Sequence, residues 1–137
     1  MKIKRLTNQD KNFYATLGPF LARRDVEKEL GYPIYDDDSK VWLIAFDGKK
    51  VLGFCYLQEK SKSHYQIGSC YVIEGHRHMG LFRKLFIEAM DGVIGSIVLV
   101  TKDEYLRELL VEEGFLASRT RGSFTEYIKE VGVDERV

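Results

Sequence analysis

The stretch Tyr71-Val72-Ile73-Glu74-Gly75-His76-Arg77-His78-Met79-Gly80-Leu81-Phe82-Arg83-Lys84-Leu85 joins two different periodicities. Up to Ile73 it is the end of an apolar run of strand character. From Gly80 the apolar residues recur at helical spacing, with Leu81, Leu85 and Ala89 on one stripe and Phe82, Phe86 and Met90 beside it. Between them lies a short loop of glycine and basic residues. A strand, loop and helix start in this order bring unpaired backbone N–H groups and the positive end of the helix dipole into one small space, which suits a pyrophosphate. Gly80 lets the backbone approach such an anion, and Arg77, Arg83 and Lys84 add positive charge nearby.

Upstream, residues 65–73 form the third of three strands. Val41-Trp42-Leu43-Ile44-Ala45-Phe46 and residues 51–57 flank an Asp47-Gly48 turn and read as a hairpin, and the polar connector Lys60-Ser61-Lys62-Ser63 returns the chain to the third strand. Pairing Cys55 with Cys70 would centre that second turn near Lys62 and Ser63. Before the hairpin, Ile3 to Thr7 alternates as a first strand, and Asn8 or Asp10 can cap a helix carrying Phe13, Tyr14 and Leu17. Gly18-Pro19 is expected to interrupt that helix, and a second runs from about Leu21 to Leu30 and stops at Gly31. Tyr32 to Ser39, with its acidic run Asp36-Asp37-Asp38, reads as a loop. Downstream, Ser96 to Thr101 is nearly all apolar, as for a strand buried on both faces. Asp103 to Glu113 is a helix ended by Gly114, and strands at residues 115–119 and 123–131 flank an Arg121-Gly122 turn. The order β, α, α, β, β, β, α, β, α, β, β predicts an α/β (α+β) fold: a mixed, mostly antiparallel central sheet of six or seven strands with helices on both faces.

Length and composition narrow the function. A chain of 137 residues, 45% apolar and 31% charged, fits one globular domain spanning 1–137. Twenty-one basic and twenty-one acidic side chains cancel, so no global field favours nucleic acid or an anionic membrane. No apolar run approaches the ~20 residues of a membrane span, and the N-terminus lacks a secretory apolar core, so a cytoplasmic location is expected. Cys55 and Cys70 read as reduced core thiols. His76-x-His78 has no second ligand cluster, so no metal is expected.

The loop resembles the acetyl-coenzyme A loop of the GNAT N-acetyltransferase superfamily, Arg/Gln-x-x-Gly-x-Gly/Ala, here Arg77-His78-Met79-Gly80-Leu81-Phe82. The run from Val72 to Arg77 has the family's usual length from fourth strand to loop. Gly53-Phe54 resembles its third-strand "v-G-f", Glu113-Gly114-Phe115 resembles the "k-G-F" closing its last helix, and the element order agrees throughout. The resemblance implies an acetyl-CoA-dependent N-acyltransferase acting on a small-molecule or protein amine, with coenzyme A between splayed fourth and fifth strands. Backbone at Tyr71, Val72 and Ile73 would face pantetheine, and amides of Arg77, His78, Met79, Gly80, Leu81 and Phe82, with Arg83 beside them, would clasp the phosphates. The chemistry is amine attack on a thioester, aided by a base, an oxyanion donor and a proton donor for the thiolate.

Three departures bear on that chemistry. Phe82 stands where the family prefers Gly or Ala. Leu110 stands four residues before Gly114, where many members carry the tyrosine that protonates the thiolate, and Glu104 and Arg107 replace the frequent Asn and Ala. Tyr105 and Tyr71 are the replacement candidates for the acid. Glu74, nearest the loop, is the leading base candidate among Glu59, His64 and Asp36 to Asp38. The acceptor is expected between the first two helices, the Tyr32 to Ser39 loop and the tail hairpin, with Tyr32, Tyr35 and Trp42 as candidate lining. The alternative is a GNAT fold without standard acetyl transfer: a coenzyme A-binding regulatory or interaction module, or an enzyme modifying a nucleic-acid base or an unusual small molecule. Edge strands in the tail would suit a homodimer.

Overall fold

The computed structural model describes residues 1–132. Its elements are β1 (Lys2–Leu6), α1 (Phe13–Leu21), α2 (Arg24–Leu30), β2 (Lys40–Asp47), β3 (Lys50–Ser61), β4 (His64–Val72), α3 (Leu81–Met90), β5 (Gly95–Thr101), α4 (Glu104–Glu112), β6 (Leu116–Arg121) and β7 (Phe124–Val131). The seven strands form one sheet in the order β1-β2-β3-β4-β5-β7-β6, and only β4 and β5 pair in parallel. This is the expected mixed, mostly antiparallel α/β architecture.

Strand alternation divides the core into two layers. Trp42, Ile44, Phe54 and Tyr56 face Phe13, Leu17 and Val26 of α1 and α2. Leu43, Ala45, Cys55 and Leu57 face Leu81, Leu85 and Phe86 of α3 and Leu106, Leu109 and Leu110 of α4. The two helical pairs thus cover opposite faces, each burying the apolar stripe that its 3.6-residue period produces. Cys55 and Cys70 are free, buried thiols.

Five local expectations change. Gly18-Pro19 does not interrupt α1, which runs through Pro19 to Leu21. The carbonyl that proline leaves without a helical donor belongs to exposed Ala15, where water serves, while Phe20 is held by Phe54 at 5.3 Å. The second helix accordingly starts at Arg24 rather than Leu21. Asp10 accepts from the Thr7 amide behind it instead of capping α1. In β5, Ile97, Leu99 and Thr101 are buried but Val100 is 37% exposed, so one face is open: α1 and α2 cover the sheet from β2 to β4 and stop short of β5. The last turn lies at Gly122-Ser123, one residue later than expected.

The feature that positions the site is a bulge in β4. Phe54 pairs with Tyr71 and Tyr56 with Gly68, so Ser69 and Cys70 together oppose Cys55. Ser69 takes φ +49°, a left-handed conformation within the bulge. The extra residue changes which faces the side chains take: Ile67 lies in the α3 and α4 layer, as do Cys70 and Val72, while Tyr71 enters the α1 and α2 layer. Pairing of β4 with β5 runs only from His64–Ser96 to Ile67–Leu99. Beyond that point the bent strand leaves its neighbour.

Candidate functional site

A cleft of about 200 Å³ fills the gap between the diverging strands. Cys70, Tyr71 and Val72 of β4 form one wall, and Val100 and Thr101 of β5 with Asp103, Tyr105 and Leu106 form the other. Arg77, His78 and Phe82 close the end toward α3, and Glu29, Leu30 and Tyr32 close it from α2. Ile73 N–H bonds to Leu52 O at 2.9 Å, so its amide is spent on the sheet rather than offered to the gap. Alternation then turns the polar groups of Val72 toward the gap.

The loop has the geometry of an anion cradle. Gly75, His78 and Gly80 have φ of +92°, +62° and +82°, which coils the backbone tightly ahead of α3. Main-chain amides from Arg77 to Arg83 make no backbone hydrogen bond of normal geometry among the described residues, and α3 has no side-chain cap. A Cβ built on Gly80 would meet nothing within 4 Å, so the space over that amide is open. Free donors, the helix dipole and open space fit the pyrophosphate of coenzyme A, and the diverging strand edges fit its amide arm.

The loop's charges are arranged differently from the sequence expectation. Arg77 Nε donates to Val72 O at 2.8 Å, its guanidinium pairs with Glu29 at 2.5 Å, and it lies 5.6 Å from the Tyr71 ring. Arg83 pairs with Glu112 and Glu113, both at 2.7 Å. Both cations are therefore committed to carboxylates, and Arg77 ties the loop to the end of β4.

The candidate acids and bases separate on the structure. Tyr105 lines the cleft and stacks on His78 with ring centroids 4.1 Å apart. Tyr71 is buried in an aromatic group with Phe54 and Phe20, at 5.6 and 6.1 Å. Glu74 is exposed and outside the cleft lining. Leu110 is fully buried, and the Phe82 ring forms part of the wall while stacking on Phe86 at 6.1 Å. The acidic run is spent on structure: Asp36 accepts from the Trp42 indole, Asp37 from Ser39 and Gln58, and Asp38 from Asn8. Among the described residues no cluster of three or more His, Cys, Asp or Glu could hold a metal, and no helix is long and apolar enough to cross a membrane.

A second cleft of about 260 Å³ lies on the open side of β5, lined by Tyr32, Pro33, Tyr35, Lys40, Tyr56, Ser69 and Phe124 among others. The Tyr32 to Ser39 loop, the sheet and Phe124 of the tail hairpin meet there, but no residue of α1 or α2 lines it, and Trp42 is fully buried in the core. Its charged lining residue is Lys40, whose Nζ donates to Tyr35 O at 2.8 Å and lies 3.8 and 4.3 Å from the Tyr35 and Tyr56 rings. Burial pushes the Lys40 ammonium below its usual pKa, against the opposing pull of Asp37 and Asp36. Tyr32 and Val100 line both clefts. Tyr32 had only its place in the loop to mark it; its partner, the Ser69 amide, is 37 residues away.

Comparison with known proteins agrees with this geometry. No curated protein matches the sequence. Among solved structures, an acyl-CoA N-acyltransferase from Pseudomonas aeruginosa superposes with a TM-score of 0.74 at 18% identity, over 93% of this chain and 98% of that one. Escherichia coli ElaA gives 0.73 at 15% identity, over 94% and 99%. An aminoglycoside 6'-N-acetyltransferase complexed with coenzyme A gives 0.75 at 12% identity, over 98% and 99%. These likenesses establish the fold. The Acetyltransferase (GNAT) family profile matches residues 6–104, most of the chain, and this chain belongs to the GNAT acetyltransferase family.

Proposed function

We propose that the protein is an acetyl-CoA-dependent N-acyltransferase that moves an acetyl group to the amine of an acceptor bound in the second cleft. The observation that carries this reading is the pairing of a diverged β4–β5 edge with the unbonded amides from Arg77 to Arg83. Those amides would hold the pyrophosphate, the Val72 backbone would meet the pantetheine arm, and Phe82 would pack beside it. When bound, the cofactor supplies an activated acetyl thioester. The amine nitrogen bonds to the acetyl carbon, the carbon–sulfur bond breaks, and the sulfur takes a proton from the protein as the amine loses one.

Tyr105, which lines the cleft outside the aromatic core, is the leading candidate for that proton. Tyr71 also lines the cleft but is packed among aromatic rings, and Glu74 is exposed and does not line the cleft. Burial of Leu110 favours a second reading, cofactor binding without acetyl transfer, because the last helix offers no hydroxyl at that position. Calorimetric titration with acetyl-CoA, followed by thiol release across a panel of amines, separates the two. Saturable binding with amine-dependent thiol release supports transfer, and binding without release supports the second reading. A folded protein that binds neither acetyl-CoA nor CoA refutes both.

A further inference from the structure

Tyr32 sits where the two clefts meet. The Ser69 amide, at the bulge that starts the divergence of β4 from β5, donates to Tyr32 Oη at 2.9 Å. The phenol oxygen accepts this bond and keeps its own proton, which makes no hydrogen bond within the described residues. A hydroxyl that accepts one hydrogen bond becomes a stronger donor for the next. Leu110 leaves the facing helix without a hydroxyl at its core position, so the Tyr32 proton is a donor at the junction itself.

We infer that Tyr32 Oη is the donor to the thioester carbonyl oxygen, relaying the Ser69 amide through its hydroxyl to the charge that develops there during transfer. The inference rests on the acyltransferase reading and adds a residue to it. Donors already fixed where charge develops need no reorganisation at the moment of reaction, which is why such contacts matter to rate. Burial pushes the Tyr32 phenol up to about 12, so the proton is in place at neutral pH.

The test needs no acceptor. Calorimetry compares acetyl-CoA, CoA and S-ethyl-CoA, which keeps the two-carbon group but lacks the carbonyl, on wild type and Tyr32→Phe. Wild type should bind acetyl-CoA roughly three- to tenfold more tightly than S-ethyl-CoA, the worth of one net hydrogen bond, and Tyr32→Phe should abolish that difference while leaving CoA affinity unchanged. A Tyr32 that merely latches its loop to β4 would lower all three affinities together or none, and that result overturns the inference. Equal wild-type affinity for acetyl-CoA and S-ethyl-CoA also overturns it, whether or not the variant folds. Failure of wild type to bind any of the three removes the acyltransferase reading instead.

Discussion

Arg77→Ala should lower the melting temperature well before it reveals anything about charge, because the side chain ties the loop to β4. Its hydrogen bond to Val72 O, charge-assisted but partly solvated, is worth about 1.5 kcal/mol. The Glu29 pair has side chains 35% and 42% exposed, and solvent screening holds it to about 0.5 kcal/mol. Lying over the Tyr71 ring adds about 0.5 kcal/mol. Because the three share one side chain they are not additive, and roughly 2 kcal/mol is the net expectation. For a chain of 137 residues that is about 7 °C in Tm. Glu29→Ala removes only the pair and should cost about 2 °C. The two variants divide the possibilities when acetyl-CoA affinity is measured beside Tm. If Arg77 is a tie, Glu29→Ala leaves affinity unchanged or lower. If Arg77 reaches a phosphate directly, release from Glu29 strengthens binding. Tighter binding by Glu29→Ala, together with an Arg77→Ala variant that melts within about 1 °C of wild type, would refute the reasoning.

Gly80→Ala meets no atom within 4 Å but forces a side chain to φ +82°, so it should cost about 1–2 kcal/mol in urea unfolding and weaken acetyl-CoA binding in calorimetry by distorting the cradle. Leu110→Tyr restores the residue common in the family but overfills a fully buried position, so a loss of about 1–3 kcal/mol in the same assay, with no gain in thiol release, is expected. The Tyr32 phenol ionises near 10 when unfolded and about 12 when folded, so the native state holds the extra proton between those values. Its stabilisation is complete below pH 10 and is lost as pH rises toward 12, with a slope of about 1.4 kcal/mol per pH unit that Tyr32→Phe should remove from the urea-unfolding profile.

The cradle and the sheet were legible for local reasons. The stripe of Leu81, Leu85 and Ala89 repeats every turn, glycines occupy the positive-φ positions at 31, 80 and 114, and the hairpin centred on Lys62 and Ser63 follows from aligning Cys55 with Cys70. Asp103, read from the sequence as the first residue of the last helix, is instead the cap of α4, accepting from the Leu106 amide at 2.8 Å. The misreadings share a cause. Pro19 reads as a breaker because propensity ignores that the carbonyl it orphans faces water while Phe20 is gripped by the sheet. The apolar run of β5 reads as buried twice because composition does not reveal which strands a pair of short helices can reach.

Sequence by itself determined what depends on residues a few positions apart: element types, their order, the amide-rich turn into α3 and the family that this order resembles. Only the tertiary structure decided which partner each polar group takes, since those partners lie far away along the chain. Arg77 meets Glu29 across 48 residues, Arg83 meets Glu112 across 29, and the Ser69 amide meets Tyr32 across 37. The partners of the two arginines are therefore residues no local pattern can name. The bulge at Ser69 and Cys70 opens the cleft because the extra residue is defined by its pairing with β3, a relation that exists only once the strands have met.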